Sequence, residues 1–200
     1  MPGNKVGRPL AGGITEALVQ AAERIMADGG FSALTVDGIA AEVGSTRPTF
    51  YRRFPSVAHL ALEVIKNRFG TGTPTDTGSL YDDLLIAQRE EIAMFASPLL
   101  RKNLSGLLEA ARTDTELSAL CDTEFVGPRR ANIARILAAA SARGEIDGGN
   151  IDVDNICDLL LGPILSRSLM PVNAPLDDRL ARYTVETVMT VTRARTAAHV

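Results

Sequence analysis

Tryptophan is absent from these 200 residues, aromatics make up only 4%, and there are just two histidines and two cysteines. Each scarcity narrows what the chain can be. A core with so few rings must be packed by Leu, Ala, Ile and Val, which together with 46% apolar residues suits helix bundles. Cys121 and Cys157 lie far apart and form no CxxC, so they read as small hydrophobes in a reducing compartment, with a thiol switch as the lesser alternative. His59 and His199 have no second His, Cys or carboxylate at metal-ligand spacing, and no metal or cofactor is expected. No apolar run approaches the roughly 20 residues that span a bilayer. The opening MPGNKVGRPLAGG lacks an apolar h-region and does not read as a secretory signal, so a cytoplasmic protein is expected.

Catalytic signatures are missing too. There is no GxSxG and no phosphate loop, and no Ser-His-Asp arrangement has support. The acid pairs Asp82-Asp83, Glu90-Glu91 and Asp177-Asp178 are adjacent, so on a helix they diverge by about 100° and read as solvated faces. An enzyme is therefore the weakest of three readings. The net charge of −3 argues against a generic nucleic-acid coat, but the charges are unevenly spread. Residues 1–70 carry eight Lys and Arg against six acids, and the remainder carries 13 against 18. The basic residues of the first part cluster in the first ten residues and near residue 50, a local positive face of the kind that phosphate contact requires.

The stretch TVDGIAAEVGSTRPTFYRRF, residues 35–54, carries most of the information. Val36, Ile39, Ala40 and Val43 follow the i, i+3, i+4, i+7 pattern of a buried helix face. Gly44 then permits the positive φ of a sharp helix-to-helix turn. Thr46 is expected to cap the second helix through its hydroxyl, and Pro48 falls in its first turn, where a missing N–H costs nothing. Phe50 and Phe54 point back to the core. That leaves Arg47, Thr49, Tyr51, Arg52 and Arg53 on or near the surface. These are the parts of a helix-turn-helix whose second helix enters the DNA major groove. An ordinary helical hairpin with a solvated face is the bland alternative.

Residues 14–70 resemble the DNA-binding domain of the TetR family of bacterial regulators. The resemblance rests on Gly30-Phe31, Thr35, Ile39-Ala40 with Gly44, Thr49-Phe50-Tyr51, Phe54 and Ser56. Pro48, Val57 and Arg53 depart from the residues the family most often has there. ARGEID and DLLLGPILSRSLM are similar to segments of the family's C-terminal domains. The resemblance implies an all-α fold: an N-terminal three-helix helix-turn-helix domain, residues 1–70, and a larger C-terminal helical effector-binding and dimerisation domain, residues 71–200. It implies double-stranded operator DNA as partner and a homodimer through the last two helices, with Ile156, Leu159, Leu160, Ile164, Leu180, Val188 and Val191 as aliphatic surface. It also implies a small-molecule effector, expected to be apolar or amphipathic, and action as a repressor.

Roles follow residue by residue. Arg47 sits at the start of the recognition helix and is suited to bidentate reading of a guanine. Pro48 and Thr49 offer apolar or hydroxyl contact. Tyr51 and Arg53 resemble the family's phosphate-contacting pair, and Arg52 suits either role. Thr35 offers its hydroxyl and a helix N-terminus to a phosphate. Lys5 and Arg8 lie in a basic arm that either reaches a minor groove or is an unstructured terminus. In the larger domain, Phe95, Leu99, Leu104, Leu108, Phe125, Leu137, Leu161 and Leu165 are expected to line a pocket, with Gln88, Asn103 and Arg129 as polar anchors. The helix of residues 56–69 is the expected transmitter between domains. A helical interaction or carrier module that no longer binds DNA is the second reading.

Helices are expected over residues 14–28, 56–69, 79–96, 97–112, from about 114 to 143, 153–169 and 176–195. GTGTPTDTG, residues 70–78, is the clearest linker in the chain. Pro128 is expected to kink or divide its helix, and Pro163 to bend the helix that contains it.

Overall fold

The computed structural model describes residues 11–147, 149, 151–170 and 174–197. Among these the regular structure is helical throughout. The helices are α1 (Ala11–Gly29), α2 (Val36–Glu42), α3 (Arg47–Tyr51), α4 (Val57–Phe69), α5 (Leu80–Ala96), α6 (Pro98–Thr113), α7 (Thr115–Cys121), α8 (Gly127–Ala142), α9 (Val153–Leu169) and α10 (Asp178–Ala197). A short 3₁₀ turn covers Phe31–Ala33, and a π turn at Asp122–Val126 joins α7 to α8 without a break. The chain folds as two units, one of residues up to Arg68 with Lys102–Leu117, the other of Phe69–Arg101 with Ser118 onward. Residues 102–117, beyond the linker expected as the boundary, pack with the first unit.

In the first unit α1 buries Leu18, Ala21, Ala22 and Met26. Met26 lies in the core, and Ile25 beside it is half-buried. The core is closed by Ile39 and Ala40 of α2, Phe50 and Phe54, and Leu60, Ala61, Val64 and Ile65 of α4. The end of α1 is capped from α6. Lys102 Nζ donates to the carbonyls of Ala27 at 2.5 Å and Asp28 at 3.1 Å, and Asn103 Nδ2 donates to that of Met26 at 3.0 Å. These carbonyls have no partner further along α1, and a cation is the favoured group there.

The second unit packs α5 with α8, α9 and α10 through Leu80, Leu84, Ile92 and Phe95 of α5, Ile136 and Leu137 of α8, Ile156, Leu160 and Ile164 of α9, and Leu180, Val185 and Val188 of α10. Five residues expected as intersubunit surface, Ile156, Leu160, Ile164, Leu180 and Val188, are thus core of a single chain, each no more than 4% exposed. Pro128 neither ends nor divides its helix. It has no N–H for the Glu124 carbonyl, and its ring crowds that carbonyl. The helix widens by one residue instead: Gly127 N–H reaches back to the Asp122 carbonyl, the i→i−5 bond of a π turn. Glycine is needed at 127, because a Cβ there would stand 2.8 Å from that carbonyl oxygen.

The glycine- and threonine-rich segment 70–78 is held by side chains rather than left as a free tether. Arg129 donates to the Gly70 carbonyl at 2.7 Å, Glu90 accepts from Thr73 N–H at 3.0 Å, and Asn132 donates to the Thr73 carbonyl at 3.3 Å. Asp83, expected on a solvated face, has 0% exposure. Its Oδ1 accepts from Thr77 N at 2.7 Å and Thr77 Oγ1 at 2.8 Å, and its Oδ2 lies 3.6 Å from Arg143. Asp82, one step round the helix, is exposed as expected.

Candidate nucleic-acid interface and interior cavity

The turn between α2 and α3 is closed by a paired motif. Gly44 has φ +62°, its N–H donates to the Ala41 carbonyl at 3.2 Å, and Ser45 N–H donates to that of Ala40 at 2.8 Å. These two bonds satisfy the last α2 carbonyls and require a left-handed residue between them, which glycine supplies without strain. At the other end of α2, Thr35 Oγ1 accepts from Gly38 N–H at 3.0 Å. Arg24 of α1 holds α2 through Glu42 at 2.7 Å.

α3 is only five residues long and is fixed by its inward side. Phe50 is fully buried, edge-on to Tyr51 at 5.5 Å between ring centroids and tilted against Phe54 at 6.0 Å. Arg47, Pro48, Tyr51 and Arg52 face solvent, and Thr49 is half-buried. Thr46 occupies the N-cap position, but its hydroxyl does not cap the backbone. It pairs instead with Thr49 Oγ1 at 3.0 Å, which also accepts from Arg52 at 3.2 Å. Arg47 meets Asp37 of α2 at 3.3 Å, and hydrogen bonding to Tyr51, then the Asp37 charge, raise its pKa above the ordinary guanidinium value. Nothing in local spacing marked Asp37, which presets the orientation of Arg47.

Arg53 is placed differently from the expected phosphate contact. Its Nε donates to Thr15 Oγ1 of α1 at 2.9 Å and its Nη1 to the Thr49 carbonyl at 3.3 Å, so the guanidinium ties α3 to α1. The arginine that departs from the family pattern is the one turned inward. Lys5 and Arg8 lie outside the described residues.

Within the second unit a cavity of about 100 Å³ opens among α5, the π turn, α8, α9 and the Thr71-Gly72 backbone. It brings together Gln88, Phe95, Phe125, Arg129 and Leu161 of the expected lining. Leu99, Asn103, Leu104, Leu108, Leu137 and Leu165 do not line it. Asn103, Leu104 and Leu108 belong to the first unit, where Asn103 holds the α1 terminus. Periodicity had marked a buried stripe on α6 without marking what it is buried against. Met94, Ile133, Cys157 and Leu160 complete the wall and were missed.

The anticipated polar anchors are already spent on the protein. Gln88 donates to the Leu160 carbonyl at 2.7 Å and to Thr184 Oγ1 at 2.9 Å, tying α5 to α9 and α10. Arg129 stacks 4.2 Å over the Phe125 ring, lies 2.9 Å from Glu91, and reaches the Gly70 carbonyl. Burial pushes the Glu91 carboxyl up against the opposing pull of Arg129. Burial likewise raises the Cys157 and Cys121 thiols, the opposite of an activated thiolate. Among the described residues no group of three His, Cys, Asp or Glu could hold a metal, and no helix is long and apolar enough to cross a membrane.

Comparison with known proteins agrees with this arrangement. Residues 18–64 match the model of bacterial regulatory proteins of the tetR family, and residues 74–188 match the tetracyclin repressor-like C-terminal domain. An HTH-type transcriptional regulator of Mycobacterium tuberculosis is 35% identical over 159 residues, 78% of this chain and 76% of the relative. The HTH-type regulator YdeS of Bacillus subtilis is 29% identical over 168 residues, 84% of each chain. A crystal structure of a TetR family transcription regulator superposes with TM-score 0.71 at 28% identity, over 88% of this chain and 97% of that one. FadR of Bacillus subtilis, solved in complex with stearoyl-CoA, shares the fold with TM-score 0.66 at 17% identity, over 88% and 97%. With both halves matched and the turn, caps and anchoring aromatics in place, this chain belongs to the TetR family of transcriptional regulators, whose members bind DNA through this helix-turn-helix.

Proposed function

We propose that the protein is a homodimeric repressor that binds a palindromic operator in the cytoplasm and is released when a small molecule enters the cavity of the second unit. The observation that carries this reading is the two-sided character of α3: Phe50 is locked into the core while Arg47, Tyr51 and Arg52 are left outside. Arg47 and Thr49 are assigned to base edges, with Tyr51, Arg52 and Thr35 on phosphates; phosphate contacts set register and base contacts set sequence. DNA-binding and effector domains are assigned to residues 1–70 and 71–200, with the α6 segment supporting the first. α6 and α7 each contribute residues to both units, which offers a covalent route for coupling. Ligand bound preferentially to a form with misspaced recognition helices lowers operator affinity by the same factor as DNA lowers ligand affinity. A fold relative solved in complex with stearoyl-CoA supports the existence of a small-molecule effector.

Selection from a random DNA pool by the purified protein, near physiological salt, tests the reading. Enrichment of a palindrome with half-sites about one helical turn apart is expected. Weak binding that vanishes with salt and selects nothing would overturn it. Arg47→Ala is expected to weaken the selected operator about 10- to 100-fold and relax one position of the motif. Full affinity and selectivity in that variant would remove Arg47 from the base-reading role.

The intersubunit contact is assigned to the outward faces of α9 and α10. Leu169, Met170 and Tyr183 are the large apolar side chains exposed there, at 41%, 58% and 67%, and Leu159 and Val191 are half-buried. Burying such residues against a second copy removes an apolar patch from water. Tyr183→Glu is expected to give a monomer by sedimentation at micromolar concentration, with operator binding reduced alongside. A dimer of unchanged strength would exclude this face.

A further inference from the structure

The cavity's walls specify what kind of molecule it takes. Its apolar surface comes from Ala87, Met94, Phe95, Ile133, Leu160 and Leu161. Seven polar side chains also reach it, Thr71 among them, and the other six are engaged elsewhere. Gln88 is held by the Leu160 carbonyl and Thr184, Glu90 by Thr73 N–H, and Glu91 by Arg129. Arg129 also donates to the Gly70 carbonyl, Arg130 pairs with Asp154 at 2.9 Å and Asp158 at 3.4 Å, and Asn132 bonds the Thr73 carbonyl and Arg135. An entering charge would lose much of its water and would have to compete with these bonds for a partner, a cost that apolar contact does not return. Taking Arg129 for itself, a carboxylate would strand Glu91, a buried charge left without its counter-ion.

Size narrows the class further. Apolar cavities of about 150 Å³ with aliphatic and aromatic walls stay dry and accept benzene. The present cavity, about 100 Å³, is about a third smaller but open on one side. Met94 is the adaptable wall, since its unbranched thioether repacks at small cost. We infer that the cavity binds an uncharged, predominantly apolar molecule of about one six-membered ring, in preference to a carboxylate or an amine of the same size. This rests on the reading that the cavity is the effector site, and it narrows the effector to one chemical class.

Toluene, benzoate and benzylamine are matched probes of one ring with no charge, a negative charge and a positive charge. Titrating each into the full-length protein by calorimetry or ligand-observed NMR decides the point. Saturable toluene binding is expected, with benzoate and benzylamine at least tenfold weaker. Leu161→Trp should fill the space and weaken toluene at least tenfold, with the thermal midpoint serving as the check on folding. If that variant unfolds, Ala87→Val serves as the milder filler, with a smaller loss in the same direction. Tighter binding of either ion, equal toluene binding in a filled variant that remains folded, or no saturable binding of any probe would overturn the inference. Repeating the operator measurement with saturating toluene separates the two levels. Toluene that binds without changing DNA affinity leaves the cavity's chemistry established and removes its effector role.

Discussion

Phe50→Ala is expected to destabilise the first unit by about 3–5 kcal/mol and to abolish selective operator binding. Both effects come from the same geometry. α3 has five residues, far short of the roughly 12–15 at which an isolated helix becomes even marginal in water. Its position therefore depends on tertiary anchoring, and Phe50, with 0% exposure and rings of Tyr51 and Phe54 beside it, is the anchor. Removing the ring takes away its transfer free energy and leaves a hole that a short helix between two turns fills poorly. Tyr51, Arg47 and Arg52 would then lose the common frame that presents them to a groove. Urea unfolding followed by circular dichroism, together with operator titration, checks this. Phe50→Leu should recover most of the stability, because it keeps an apolar group of similar volume. A loss below about 1 kcal/mol for the alanine variant would show that α3 is held by other contacts.

The second large effect is expected at Asp83, where alanine should cost about 2–4 kcal/mol, felt in the second unit. The carboxylate is fully buried, takes two hydrogen bonds from Thr77, and lies 3.6 Å from Arg143 as a charge contact rather than a hydrogen bond. Arg143 is not stranded by the change, since Asp76 at 2.9 Å and Glu145 at 2.6 Å remain, which keeps the estimate below that for a fully orphaned pair. Glu145 in turn caps α5 by accepting from Leu80 N–H at 2.9 Å, and that bond first, with Arg143 second, lowers its pKa from the ordinary carboxylate value. Asp83→Asn keeps an acceptor for Thr77 and should lose about half as much as alanine. Equal losses for the two variants would mean that charge rather than the Thr77 bonds carries the effect. A loss under about 1 kcal/mol in Asp83→Ala would place the stability of this corner elsewhere.

Much of the helix-turn-helix was legible in the residue order. Gly44 at the turn, Pro48 in the first turn of α3, and Phe50 and Phe54 inside with Arg47 and Tyr51 outside all depend on groups within four or five residues of one another. The π turn had a signal as well: a proline in mid-helix directly after a glycine, where the ladder had to open by one residue rather than stop. What misled the reading was the partner of each buried stripe. Lys102 and Asn103 sit on an apolar-patterned helix, yet they close the end of α1 some 75 positions earlier. Arg53 had the spacing of a phosphate contact and turned to Thr15. Asp83 was one of two adjacent acids, and only Arg143 and Thr77 distinguish it from Asp82.

The sequence by itself determined the helical class, the recognition turn and the family, because these follow from dihedral preference, hydrogen bonding and periodicity among contiguous residues. Tertiary structure alone decided which faces meet. It placed residues 102–117 with the first unit, made Ile156, Leu160 and Ile164 core rather than interface, and formed the cavity between Phe95, Phe125 and Leu161. An apolar stripe is equally satisfied by any apolar surface of the right shape, since burial is non-directional and proportional to area. Its partner is chosen only when all the stripes of the chain are packed at once.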